Sequence, residues 1–186
     1  MTDPSQIQTF LDIALQASQA GEEVIRHYYD GNVKVTLKED YTPVTVADVE
    51  TENTIKQVIL GAFPDHGFYG EETGKTNPDA EYNWLIDPID GTKSFVRQYP
   101  FFSRQIALMH RDELIVGVSN GVMFNELAWA GRGLGAFLNG QPIQVERLVC
   151  RQIAHDAPSV PPDEPPHRAE HRRARRRRAS ERAHQL

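Results

Sequence analysis

The stretch Trp84-Leu85-Ile86-Asp87-Pro88-Ile89-Asp90-Gly91-Thr92 constrains the fold more than any other part of the chain. A short apolar run of this kind reads as a strand, and it ends at a proline flanked by two aspartates. Pro88 fixes its own φ and disfavours helical backbone at the residue before it, so Asp87 is predicted to stand extended at the strand end. Asp90, three residues on, can reach the same side across the turn. Two carboxylates this close repel unless a cation sits between them. Oxygen-only ligands select hard ions, Mg²⁺ above all where a phosphate completes the shell. If Gly91 and Thr92 open a helix, its free backbone N–H groups aim at the same place, and such an N-terminus binds phosphate. Asp-Pro-x-Asp-Gly is also good turn chemistry. Taken alone, the stretch leaves a solvated turn and a phosphate-ester site both open.

The rest of the body supplies elements around it. Ile7, Phe10, Leu11, Ala14, Leu15 and Ala17 form one stripe, continued by Val24 and Ile25, which predicts a helix over 5–29. Residues 33–38 alternate as a half-buried strand does. Thr45 leads into a helical pattern ending near Gly61, with Pro64 as punctuation. Phe68-Tyr69 precedes Gly70-Glu71-Glu72, and Thr92–Val96 opens a short helix. Residues 105–110, 114–123 and 126–130 read as successive strands, and Asn139-Gly140 between apolar runs marks a hairpin. Helices first and antiparallel strands afterwards predict an α+β layered domain.

Charge divides the chain. Residues 1–146 carry 10 Lys/Arg against 21 Asp/Glu, and residues 147–186 carry 10 Arg against 5 Asp/Glu. The acidic body argues against nucleic acid as its main partner. The segment 147–186 has no lysine, no aromatic residue and no helical or strand period, so it reads as a disordered tail following a domain at 1–146. Arginine mixed with proline, alanine and histidine, without lysine, is also what a GC-rich gene yields when read out of frame. No basic-then-apolar leader opens the chain and no apolar stretch reaches membrane-spanning length, which makes a cytoplasmic protein the expectation. The single cysteine, Cys150, permits no internal disulfide.

Asp48, Glu71-Glu72 and Trp84–Thr92, in that order and spacing, resemble the inositol monophosphatase family of Mg²⁺-dependent, lithium-sensitive phosphatases. Taken singly, Asp48 is a helix-capping acid and Glu71-Glu72 a solvated loop pair. The resemblance covers residues 1–146, including Gly131–Ile143. It implies a layered α/β sandwich in which N-terminal helices cover an antiparallel sheet, with the family's C-terminal α/β half missing here. It implies Mg²⁺, two or three ions, held by Glu71, Asp87, the Ile89 carbonyl and Asp90. It further implies that Thr92, hydrogen-bonded near Glu71, orients and deprotonates the attacking water, with Asp48 among the catalytic residues. Asp90 and the amides of Gly91 and Thr92 would bind the phosphate, with Glu72 as an accessory acid. With metals to acidify water no histidine base is needed, so His27, His66 and His110 read as ordinary surface or boundary residues.

The resemblance implies a small-molecule phosphate monoester as substrate and a homodimer for the intact family form. Lys93 after Gly-Thr resembles histidinol-phosphate phosphatases; Gly135–Ile143 and Tyr99–Phe102 resemble the inositol 1-phosphate type. Lys93 reads equally well as a solvated first-turn lysine. The family's Trp-Asp motif, whose Asp completes the second metal site, has no counterpart, since Leu85 follows Trp84 and Ala130 follows Trp129. The alternatives are therefore a non-catalytic half-domain, either a dimerising pseudo-phosphatase or a module binding polyanions through its Arg-rich tail.

Overall fold

Residues 3–29, 31, 35–37 and 43–144 are described by a computed structural model of the chain. The Arg-rich segment 147–186 lies outside the described residues, as do the ends of the strand read at 33–38. Helix α1 (Pro4–Tyr29) buries Ile7, Phe10, Leu11, Ala14, Ala17 and Ile25 of the stripe read from its spacing, while Leu15 and Val24 are half-buried. Strands β1 (Val35–Leu37) and β2 (Pro43–Thr45) pair as a small antiparallel ribbon. Helix α2 (Val46–Ala62) follows at once and buries Ala47, Asp48, Thr51, Glu52, Ile55 and Ile59. Two of those six are acids, which is unusual for a core-facing stripe.

The remaining strands form one sheet. They are β3 (Gly67–Gly70), β4 (Gly74–Thr76), β5 (Tyr82–Asp90), β6 (Ser103–His110), β7 (Glu113–Gly121), β8 (Glu126–Gly131), β9 (Gly135–Leu138) and β10 (Gln141–Ile143). The five-residue helix α3 (Thr92–Val96) lies between β5 and β6, and a 3₁₀ turn (Val122–Phe124) between β7 and β8. The order across the sheet is β10-β9-β8-β7-β6-β5-β3-β4. From β5 to β10 every pairing is antiparallel, as expected, but β3 lies parallel to β5, so the sheet is mixed.

Helices α1 and α2 cover one face of the sheet. The core there joins Phe10, Leu11, Ile55 and Ile59 to Phe68, Trp84, Ile86, Ile106, Leu108 and Val118. Each large apolar side chain buried in this way contributes about 1.5–3 kcal/mol. A second cluster, Ile25, Ala47, Ile89, Phe95, Phe102 and Val122, lies under the corner where β5 turns into α3. Strand alternation places Ser103, Gln105 and Ala107 on the face away from the helices. This face carries small residues and, near its rim, Phe101 at 71% and Phe124 at 48% exposure, their rings 5.8 Å apart.

Candidate metal and phosphate site

The parallel pair β3–β5 creates the site. Gly67 to Gly70 run beside Asn83 to Ile86, and the Glu71 amide donates to the Ile86 carbonyl at 3.3 Å. Glu71 and Asp87 therefore leave the carboxyl ends of two adjacent parallel strands together. Such ends are where open α/β sheets hold ligands.

A bulge adds the second aspartate. Asp87 pairs with Gln105 and Asp90 with Ser103, so three steps along β5 face two along β6. On a regular strand residues three apart point to opposite faces. The extra residue cancels that alternation and turns Asp87 and Asp90 to the same face, the one away from the helices. Buried Ile89 anchors the bulge in the smaller core cluster.

Gly91 then caps α3 at φ 105°, a region that favours glycine, and a Cβ there would stand 3.0 Å from the Phe101 carbonyl. The following Thr92 hydroxyl lies 3.2 Å from both Asp48 Oδ1 and the Ile89 carbonyl, one proton serving two acceptors. Asp48 and the Ile89 carbonyl are thus the acceptors that orient the Thr92 hydroxyl. Asp48 is the helix-capping acid read from the sequence and also reaches Thr92. Its Oδ2 accepts the Thr45 amide at 2.7 Å and the Thr45 hydroxyl at 2.6 Å, closing a capping box on α2 while Oδ1 meets Thr92. Burial raises the Asp48 pKa, and hydrogen bonds from Thr45 and Thr92 partly offset this.

One residue escaped the sequence reading. Glu52, one helical turn after Asp48, is 0% exposed, and its carboxylate accepts the amides of Glu72 at 2.9 Å and Thr73 at 2.6 Å. It lies so close to Gly70 that any Cβ there would overlap Oε1. The signal was present: stepping back from Ile59 and Ile55 along α2 reaches Thr51, Glu52 and Asp48, polar residues on the core-facing stripe.

Electrostatics mark Asp87. Its pKa is pushed up to about 7, first by burial, then by repulsion from and hydrogen bonding with Glu71, then by repulsion from Asp90; the Ile89 amide partly offsets these. Its Oδ1 is buried without a hydrogen-bond partner. Among the described residues no three His, Cys, Asp or Glu side chains are already gathered as a metal cluster. The donor set nevertheless fits a hard divalent cation. All donors are oxygens, two carboxylates compete for a proton, and one buried oxygen has nothing to bind.

Glu72 is half-buried, with its backbone on Glu52, and Lys93 is exposed on α3. A cavity of about 450 Å³ opens beside Asp90 and Gly91, walled by Phe101, Phe124, Ser103 and Glu126. A larger one of about 610 Å³ lies over Ser18, Glu22, Asn120 and Trp129, away from the three carboxylates. His27 is exposed, as read. His66 is more than a boundary residue: its Nδ1 accepts the Trp84 indole N–H at 3.0 Å, and its ring stacks on Phe63 and Tyr82. His110 stacks on Tyr82 and bonds Glu81. No helix of the described residues is long and apolar enough to cross a membrane.

The chain is similar to known proteins in sequence and fold. The chain is 38% identical over 143 residues to a fructose-1,6-bisphosphatase/inositol-1-monophosphatase of Aquifex aeolicus, covering 75% of this chain and 54% of that protein. It is 40% identical over 139 residues to a histidinol-phosphatase of Chlorobaculum parvum, covering 74% and 54%. The fold superposes on an inositol monophosphatase from Anabaena with a TM-score of 0.65 at 38% identity, over 75% of this chain and 50% of that one. The chain thus spans about half the length of the curated relatives it matches. With a family match running from residue 6 to residue 184, the chain belongs to the inositol monophosphatase family.

Proposed function

We propose that the site hydrolyses a small-molecule phosphate monoester with Mg²⁺ as its cofactor. The observation that carries this reading is the Asp87 carboxyl: half-buried, crowded by Glu71 and Asp90, and presenting a buried, unpartnered oxygen where two parallel strands end. The family is generally metal-dependent. Glu71, Asp87, the Ile89 carbonyl and Asp90 would hold the cation. When bound, Mg²⁺ would supply charge neutralisation for the phosphate and acidify water.

The chain's own groups do the rest. The Thr92 hydroxyl is oriented by Asp48 and the Ile89 carbonyl, so it can take a proton from the attacking water and pass its own to Asp48 Oδ1. Water adds to phosphorus and the ester P–O bond breaks; the alkoxide takes a proton from solvent to leave as the alcohol, and Asp48 returns its proton to solvent through Thr92. The amides of Gly91 and Thr92, where α3 begins, would steady the phosphate oxygens. The alcohol part would occupy the cavity walled by Phe101 and Phe124. The relatives named above point to inositol 1-phosphate and L-histidinol phosphate as the first substrates to try.

The test is phosphate release from both esters by the whole chain, with and without Mg²⁺, beside Asp87→Asn. Mg²⁺-dependent release lost in D87N supports the reading. Mg²⁺ binding without turnover favours the non-catalytic half-domain, which the half-length match to the relatives motivates. Turnover insensitive to both Mg²⁺ and D87N defeats the metal site.

A further inference from the structure

We propose that Glu52 is a positioning residue for the Glu71 end of the site, so that α2 sets the separation of the site's two halves. The role rests on the metal-site reading given above. Helix α2 reaches both halves with side chains four residues apart. Asp48 holds the Asp90-Gly91-Thr92 corner through the Thr92 hydroxyl, and Glu52 holds the turn after β3 through the amides of Glu72 and Thr73. Residues four apart on a helix lie on one face at fixed spacing. A single rigid element therefore registers the two loops against each other.

The chemistry of Glu52 fits this role better than that of a general stabiliser. A fully buried carboxylate is costly unless hydrogen-bonded. Here it receives two consecutive backbone amides directly after Glu71, at 2.9 and 2.6 Å. Gly70, directly before Glu71, leaves the space that the carboxylate fills. Glu71 is thus clamped from both sides: its own amide is tied to β5 at Ile86, and the next two amides to α2. With those three bonds in place, its side chain leaves the backbone at a fixed point beside Asp87. Partners of this indirect kind typically change metal affinity by about 10–100-fold when removed.

The experiment measures Mg²⁺ affinity calorimetrically on the whole chain for wild type, Glu52→Gln, Gly70→Ala and Asp87→Asn, with the amide NMR positions of residues 72 and 73 as a second readout. E52Q keeps the size of the side chain but turns an NH₂ toward one of the two amides. The expected result is a Kd for Mg²⁺ raised about 10–100-fold in E52Q, with the metal-free fold retained and the residue 72 and 73 amides displaced. G70A should do the same by pushing Glu52 aside, and the double variant should be no worse than either single change, because both act on one contact. A folded E52Q binding Mg²⁺ within twofold of wild type, while D87N has lost it, overturns the role. If E52Q does not fold, G70A carries the same decision. Absence of Mg²⁺ binding by the wild type, or equal binding by D87N, sinks the metal reading itself and this role with it.

Discussion

Thr92 and Asp48, forty-four residues apart in sequence, meet at 3.2 Å between the Thr hydroxyl and Asp48 Oδ1. The other oxygen of Asp48 closes the capping box with Thr45, so a single carboxylate both starts a helix and orients the hydroxyl at the corner after Asp90. The two duties are separable. Asp48→Asn puts an NH₂ where one of them needs an acceptor, and kcat for phosphate release should fall about 100-fold or more. Thr45→Ala removes the cap while leaving the Thr92 contact, and should cost about 1 kcal/mol of stability with a far smaller change in kcat. Urea unfolding and steady-state kinetics on the same preparations separate the two.

The raised pKa of Asp87 gives the metal-free protein a defined pH dependence. Because its folded pKa, about 7, lies above the ordinary value of 3.8, the folded state holds a proton that the unfolded chain has released between those pH values. The stability contributed is fully present below about pH 4 and lost as pH rises through about 7. Asp48, also raised, acts in the same sense. Thermal unfolding of wild type against D87N, from pH 4.5 to 8 without metal, should show the wild type losing ground as pH rises. Mg²⁺ affinity should run the opposite way, strengthening through pH 7 as Asp87 loses its proton.

Gly91→Ala should be destabilising by about 1–2 kcal/mol, because an L-residue resists a positive φ. The methyl would also press on the Phe101 carbonyl at 3.0 Å and move the corner that presents Asp90 and Thr92. A lowered urea midpoint together with weaker Mg²⁺ binding is the expected pair of results. A change in stability alone would mean that the corner tolerates the methyl.

His66→Phe keeps the aromatic stack with Phe63 and Tyr82 but leaves the Trp84 indole N–H without its acceptor. The cost should be about 1–3 kcal/mol. Burial lowers the pKa of His66, so the wild type should lose this contribution as pH falls below the ordinary histidine value of 6.5. The loss should be absent from H66F in parallel unfolding experiments.

Local chemistry was the legible part of this chain. Helix α3 occupies Thr92–Val96 and the β9–β10 hairpin turns at Asn139-Gly140, both as read, because each depends on a few adjacent residues. Asp87, Asp90 and Glu71 were legible through the company they keep in sequence. What could not be read was non-local. Strand β5 extends to Asp90, beyond the proline at which the apolar run ends, because β6 continues to pair with it past the bulge. Strand β4, Gly-Lys-Thr, has no apolar pattern and exists through its pairing with β3. The parallel placement of β3, which brings Glu71 beside Asp87, left no mark in either segment. The contact between Thr92 and Asp48 was unreadable for the same reason: Asp48 comes from a distant helix whose polar stripe looked like ordinary capping.

The bulge between Asp87 and Asp90 has a consequence for how such a site is inherited. The bulge carries a main-chain oxygen, the Ile89 carbonyl, at the corner where the Thr92 hydroxyl meets it. A carbonyl belongs to the chain and not to a codon, so no point substitution at residue 89 can delete it. Only a change in the number of residues between the two aspartates could. Drift at this position can therefore test the hydrophobic fit of Ile89 in its cluster while leaving the acceptor oxygen untouched. The spacing of the two aspartates, and not the identity of residue 89, is what keeps this oxygen in place.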